Sequence, residues 1–133
     1  MNHISAITNW QSSRGLDKMP YKHTNGIKNI IEECVEASGL LTSAQAREVS
    51  TNIIDTYILE TYTPNAAVDA YCDIIVYAVG AIMKLGYYPE IALDECIKEI
   101  SDRTGSYDPA AGKWVKFPPK PDAYKADYSK ALI

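Results

Sequence analysis

Residues 64–85, PNAAVDAYCDIIVYAVGAIMKL, constrain the fold most, because Asp69 and Asp73 are the only charges in this apolar run before Lys84. At the helical turn of about 100° per residue, Val68, Tyr71, Cys72, Ile74, Ile75, Val79, Ile82, Met83 and Leu85 spread over at least half the circumference. Such a helix calls for several neighbours, and the pattern predicts a central helix in an all-α bundle. Asp69 and Asp73 fall in the remaining arc, four residues apart and therefore one above the other. Two like charges so placed repel unless a cation lies beside them, and a metal ion is the natural candidate.

The rest of the chain can surround such a helix. Its 133 residues suit one domain, and a 47% hydrophobic content supplies a core without staples. A net charge of −4 and a pI near 5.1 argue against a general nucleic-acid binder while leaving room for a small polyphosphate held by local lysines and cations. The longest uncharged apolar run, residues 74–83, is too short for a bilayer span, so no membrane segment is expected. MNHISAITNWQSSRG lacks the pattern of a secretion signal. Cys34, Cys72 and Cys96 lie in helical patterns without CxxC spacing and read as reduced core thiols of a cytoplasmic protein.

In order, Ile4, Ile7 and Trp10 suit a short first helix ending near Gly15, and residues 14–26 read as a loop. His3 and His23 have no partner at metal-ligand spacing and read as surface residues. A second helix over about 26–38 carries Ile27, Ile30, Ile31 and Cys34 on one side and Glu32, Glu33 and Glu36 on the other. Thr42-Ser43-Ala44-Gln45 has the form of a capping box opening a third helix to about residue 60, with Val49, Ile53 and Tyr57 as its stripe. Thr63-Pro64 starts the central helix. Pro89 opens a last helix, which the short connection makes an antiparallel neighbour of the central one. Three segments result: residues 1–25, a helical core of 26–104, and a tail of 105–133. Its prolines (Pro109, Pro118, Pro119, Pro121) make regular structure unexpected in the tail. Trp114, Phe117 and Tyr124 could anchor it, and Lys113 and Lys116 could reach an anionic ligand.

An acidic face such as Glu32-Glu33-Glu36 is most simply a solvated one. Asp69 and Asp73 on the central helix change that balance, since five acids on two adjacent helices would make a hard, oxygen-rich site. Mg²⁺ takes such ligands while keeping waters and substrate phosphate oxygens around it. There is no GxxxxGK[ST] loop, GxSxG elbow or HExxH helix to suggest another chemistry.

Glu32-Glu33-Cys34-Val35-Glu36 resembles the EExxE signature of the all-α nucleoside triphosphate pyrophosphohydrolases, the group that includes MazG, dimeric dUTPases, dCTPases and phosphoribosyl-ATP pyrophosphatase. Asp69-Ala70-Tyr71-Cys72-Asp73-Ile74 looks like that group's second signature. The usual form, ExxD, would place a carboxylate at Ala70, whereas here Asp69 stands one residue earlier. Residues 94–98, 101–103 and Gly112-Lys113-Trp114-Val115-Lys116 are similar to the phage and bacterial branch, MazZ-like proteins among them.

The resemblance implies a four- to five-helix bundle of that type with an irregular C-terminal tail. It implies an enzyme that converts a (d)NTP, first choice (d)GTP, to (d)NMP and pyrophosphate through attack by a metal-bound water at the α-phosphorus. Glu33, Glu36, Asp69 and Asp73 would hold Mg²⁺, with Mn²⁺ as substitute. Glu32, Glu33 and Glu36 would form the catalytic set, and Arg103, Lys113 and Lys116 would neutralise substrate phosphate. The partners implied are the nucleotide and one or three further copies of the chain, in the cytoplasm, or the host's if phage-encoded. A house-cleaning, dUTP- or dCTP-type, or phosphoribosyl-ATP pyrophosphatase is the alternative within the group. A helical interaction module without catalysis is the alternative outside it.

Overall fold

The computed structural model describes residues 2–57 and 60–133. Among them are five α-helices: α1 (His3–Ser13), α2 (His23–Glu36), α3 (Ser43–Tyr57), α4 (Pro64–Lys84) and α5 (Pro89–Ser101). A two-stranded sheet, β1 (Gly105–Asp108) and β2 (Lys113–Lys116), follows α5, and a 3₁₀ turn spans Tyr128–Ala131. The chain is thus mostly helical, as its apolar periodicity requires. It divides into two compact units whose limits differ from the three segments read from the sequence. One comprises residues 1–19, 65–106 and 114–133, and the other residues 20–64 and 107–113.

Local signals account for the helix boundaries. The capping box is reciprocal: Thr42 N donates to Gln45 Oε1 at 2.9 Å, and Gln45 N donates to Thr42 Oγ1 at 3.2 Å. The end of the third helix expected near residue 60 falls partly outside the described residues. At the close of α4, Gly86 takes φ +90, while its N–H bonds to Met83 O and the Tyr87 N–H to Ile82 O. This pair of bonds is a Schellman cap. Beyond it, Tyr88 N donates to Ala131 O and Ile133 N to Gly86 O, stitching the C-terminus to the α4–α5 turn.

In the unit containing α2 and α3, these two helices pack together through Ala46, Ser50 and Ile54, which are buried. The stripe expected on α3 is corrected by one row. Val49 and Tyr57 are exposed, and Ala46, Ser50 and Ile54 of the neighbouring row line the seam instead. Ser50 satisfies its hydroxyl by donating to Ala46 O at 2.7 Å.

In the other unit, α5 packs on α1 and on the C-terminal 3₁₀ turn. Trp10 Nε1 donates to Ile100 O at 3.0 Å, and its ring meets Trp114 edge-on with centroids 5.3 Å apart. Two expectations fail here. Helix α5 does not lie along α4 as an antiparallel partner, and α4 has no buried residue. Val68, Ile75, Val76, Met83 and Leu85 are all exposed, because within the unit no layer covers that arc of the helix. By length and composition alone α4 is long and apolar enough to cross a membrane, since a window including both aspartates still passes where the uncharged run was too short. Cys34 and Cys72 are exposed and Cys96 half-buried, all as free thiols, so two of the three are not core residues.

The tail is irregular only in part, over residues 117–127 and the hairpin loop. Asp108 Oδ1 accepts from Ala110 N, and Gly112, at φ +65, donates its N–H to Asp108 O at 2.8 Å. An Asx turn followed by a left-handed glycine closes a short hairpin despite Pro109, which lies in the loop where no ladder donor is needed. The strands run antiparallel, as so short a connection demands. The tail is then pinned by carboxylates of α5. Glu95 accepts from Tyr124 Oη at 2.5 Å and Asp127 N at 3.0 Å, Glu99 accepts from Ala126 N at 2.9 Å, and Asp102 accepts from Tyr124 N.

Candidate functional site

The acidic face of α2 is not uniformly solvated. Glu33 is exposed and Glu36 half-buried, but Glu32 retains only 3% of its surface. Its Oε1 receives Lys113 Nζ at 2.9 Å from the hairpin tip, and Arg47 Nε of α3 lies 3.8 Å away. Oε2 is buried and has no hydrogen-bond partner among the described residues, and the same holds for Asn29 Oδ1, one turn earlier on α2. Leaving a buried acceptor unsatisfied costs about 1–3 kcal/mol. Two such oxygens on adjacent turns of one helix therefore mark a place where a donor or a cation would be welcome. Gly112 supports this arrangement, for a Cβ there would collide with the Asn25 side chain of α2.

The sequence-derived residues are distributed unequally. Glu32, Glu33, Glu36 and Lys113 belong to the unit of α2 and α3, whereas Asp69, Asp73, Arg103 and Lys116 belong to the other. Asp69 and Asp73 are exposed on α4. Among the described residues no group of three or more His, Cys, Asp or Glu side chains is gathered closely enough to hold a metal ion by itself. The donor chemistry at Glu32 nonetheless fits Mg²⁺, which is commonly bound by one or two protein oxygens with water and substrate phosphate completing its shell. Sequence reasoning missed Asn29 and Arg47; the Asn29-x-x-Glu32 spacing was visible, but nothing in it announced burial.

Arg103 and Lys116 line one cavity, so the structure joins two of the three cations expected at substrate phosphate and sends Lys113 elsewhere. Arg103 is ion-paired to Glu99, one turn back on α5. Lys113 and Lys116 diverge because residues three apart on a strand face opposite ways.

Glu95 is the second buried carboxylate, 1% exposed, but it is fully engaged. The hydrogen bond from Tyr124 Oη, the Asp127 N–H and the nearby Lys98 and Lys130 ammonium groups outweigh its burial and hold it down at about 2. Lys130 is raised in turn, first by its hydrogen bond to Tyr124 Oη and then by the Glu95 carboxylate. Glu95 is a strap for the tail. His3 bonds Asp94 at 2.7 Å, while His23 bonds Tyr21 and stacks on Tyr62, so both histidines act locally.

Compared with protein-family models, curated proteins and solved structures, the chain matches none.

Proposed function

We propose that this chain is a Mg²⁺-dependent nucleoside triphosphate pyrophosphohydrolase of the all-α, MazG-like type, acting in the cytoplasm on a (d)NTP, first choice (d)GTP. The observation that carries it is Glu32 within the EExxE signature. A buried carboxylate with one oxygen unpartnered, beside Asn29 Oδ1 and two cationic side chains, is poor economy for a structural residue and apt for an ion–phosphate site. Glu33 and Glu36 would hold Mg²⁺ or Mn²⁺, with Glu32 and Asn29 offering the oxygens that lack donors. The bound ion would neutralise triphosphate charge and raise the acidity of an attacking water. Glu32, Glu33 and Glu36 are the bases available to orient that water, and Lys113 and Arg47 stand ready to take up charge on phosphate.

Oligomerisation belongs to the same reading. On α4, Val68, Cys72, Ile75, Val76, Val79 and Met83 fall within about 100° of arc, and all but Val79 are exposed. Asp69 and Asp73 border that stripe, and a carboxylate within a bilayer costs several kcal/mol. A second copy of the chain, making the bundle complete, is the better cover. A helical interaction module is the competing reading, favoured by the same bare stripe.

Pyrophosphate release across the common (d)NTPs, with Mg²⁺ and thermal melting alongside, tests the proposal. Mg²⁺ at about 100 times its Kd should add about 2.7 kcal/mol to the folded state. Glu33→Gln with Glu36→Gln should abolish both that gain and turnover. No release from any nucleotide, or an unchanged metal response in the double variant, rejects the assignment in favour of the interaction module.

A further inference from the structure

A cavity of about 660 Å³ opens between the C-terminal turn of α5 and the tail, wholly within the unit that holds them. Its size is that of a small-molecule site. Arg103, Lys116, Lys120 and Lys125 line it, and the one acid in the lining, Glu99, is already taken by Arg103 and the Ala126 N–H. Among the described residues Lys116, Lys120 and Lys125 have no ion-pair partner. Three uncompensated ammonium groups thus surround one cavity of a chain whose net charge is −4. Asp122 and Asp102, close in sequence to Lys120 and Arg103, line a neighbouring hollow with Lys98.

The arch that carries these lysines is preformed. Phe117 N donates to Thr104 O at 2.8 Å at one end, and Tyr124 is tied to Glu95 and Asp102 at the other. Pro118, Pro119 and Pro121 fix the backbone φ between them, so little conformational freedom is left to lose on binding. Phe117 also lines the cavity while remaining 51% exposed, which leaves a ring surface for a planar group to stack on.

We infer that this cavity is a binding site for a nucleoside phosphate, its phosphates gripped by Lys116, Lys120, Lys125 and Arg103 and its base stacked on Phe117, and that it binds without a divalent ion. Because Arg103 and Lys116 are read above as phosphate ligands, the inference rests on that substrate reading. Its test separates the two. Isothermal titration of the full chain in EDTA with dGTP and, separately, with tripolyphosphate should show both binding. Lys120→Ala with Lys125→Ala should weaken each by about tenfold or more, and Phe117→Ala should weaken dGTP by about tenfold while sparing tripolyphosphate. Glu33→Gln with Glu36→Gln should leave both affinities unchanged. Absence of dGTP binding in EDTA, or indifference to the lysine pair, overturns the inference. Equal indifference of both ligands to Phe117→Ala overturns the nucleoside part and leaves a polyphosphate site. Intact titrations in a chain that releases no pyrophosphate would sink the hydrolase and spare the cavity; lost titrations with turnover retained would do the reverse.

Discussion

Replacing Lys113 by methionine removes the ammonium from Glu32 while keeping the length of the side chain. At 2.9 Å and an effective dielectric near 20, the gross attraction is about 6 kcal/mol, and the remaining Arg47 at 3.8 Å supplies about 4 kcal/mol. These are gross terms. Removing one partner from a fully buried pair costs about 3–5 kcal/mol net, mostly as the penalty of the stranded charge. The Lys113 side chain is 23% exposed and Arg47 stays, so the expected loss is about 2–3 kcal/mol. In melting temperature that is about 10 °C. Adding Glu32→Gln should recover much of it, giving a coupling energy of about 2 kcal/mol in a double-mutant cycle read by urea denaturation. The single variant should also gain more stability from Mg²⁺ than the wild type does, because Glu32 Oε1 is released for the ion. A loss under about 0.5 kcal/mol, or strictly additive single effects, would refute the claim that a hairpin lysine compensates a buried carboxylate.

Glu95 gives a pH signature. Its folded-state value, about 2 against an ordinary 4.5, means that its contribution is complete above about 4.5 and is lost as pH falls toward 2. Glu95→Gln should flatten the acid limb of stability over that interval and loosen the tail, which urea midpoints at pH 5 and pH 2.5 would detect; an unaltered limb would count against the strap. For α4, Val76→Asp with Ile75→Asp should convert a dimer or tetramer to monomer in sedimentation velocity. A wild-type monomer that floats with lipid vesicles would replace the second copy by a membrane.

Much of the helical frame was legible from the chain alone. The capping box at Thr42 and the glycine cap at Gly86 are local signals whose hydrogen bonds close within a few residues, and Pro64 and Pro89 mark helix starts through their fixed φ, so these signals act whatever lies beyond. Local pattern could also show that Glu32, Glu33 and Glu36 share a helix side. It could not show that Glu32 alone is buried, because that depends on Arg47 and on a lysine 81 residues away. Periodicity likewise identified α4 as apolar without saying what covers it, and it placed the α3 stripe one row off because Ala46 and Ser50 line the seam without being strongly hydrophobic. In the tail, four prolines argued against regular structure, yet their positions lie in the hairpin loop and the arch, where no ladder donor is required. Sequence determined where the chain bends into helices, since those interactions are short-range. Tertiary structure decided which charges are buried together and which apolar face is left bare, since burial is set by neighbours far along the chain.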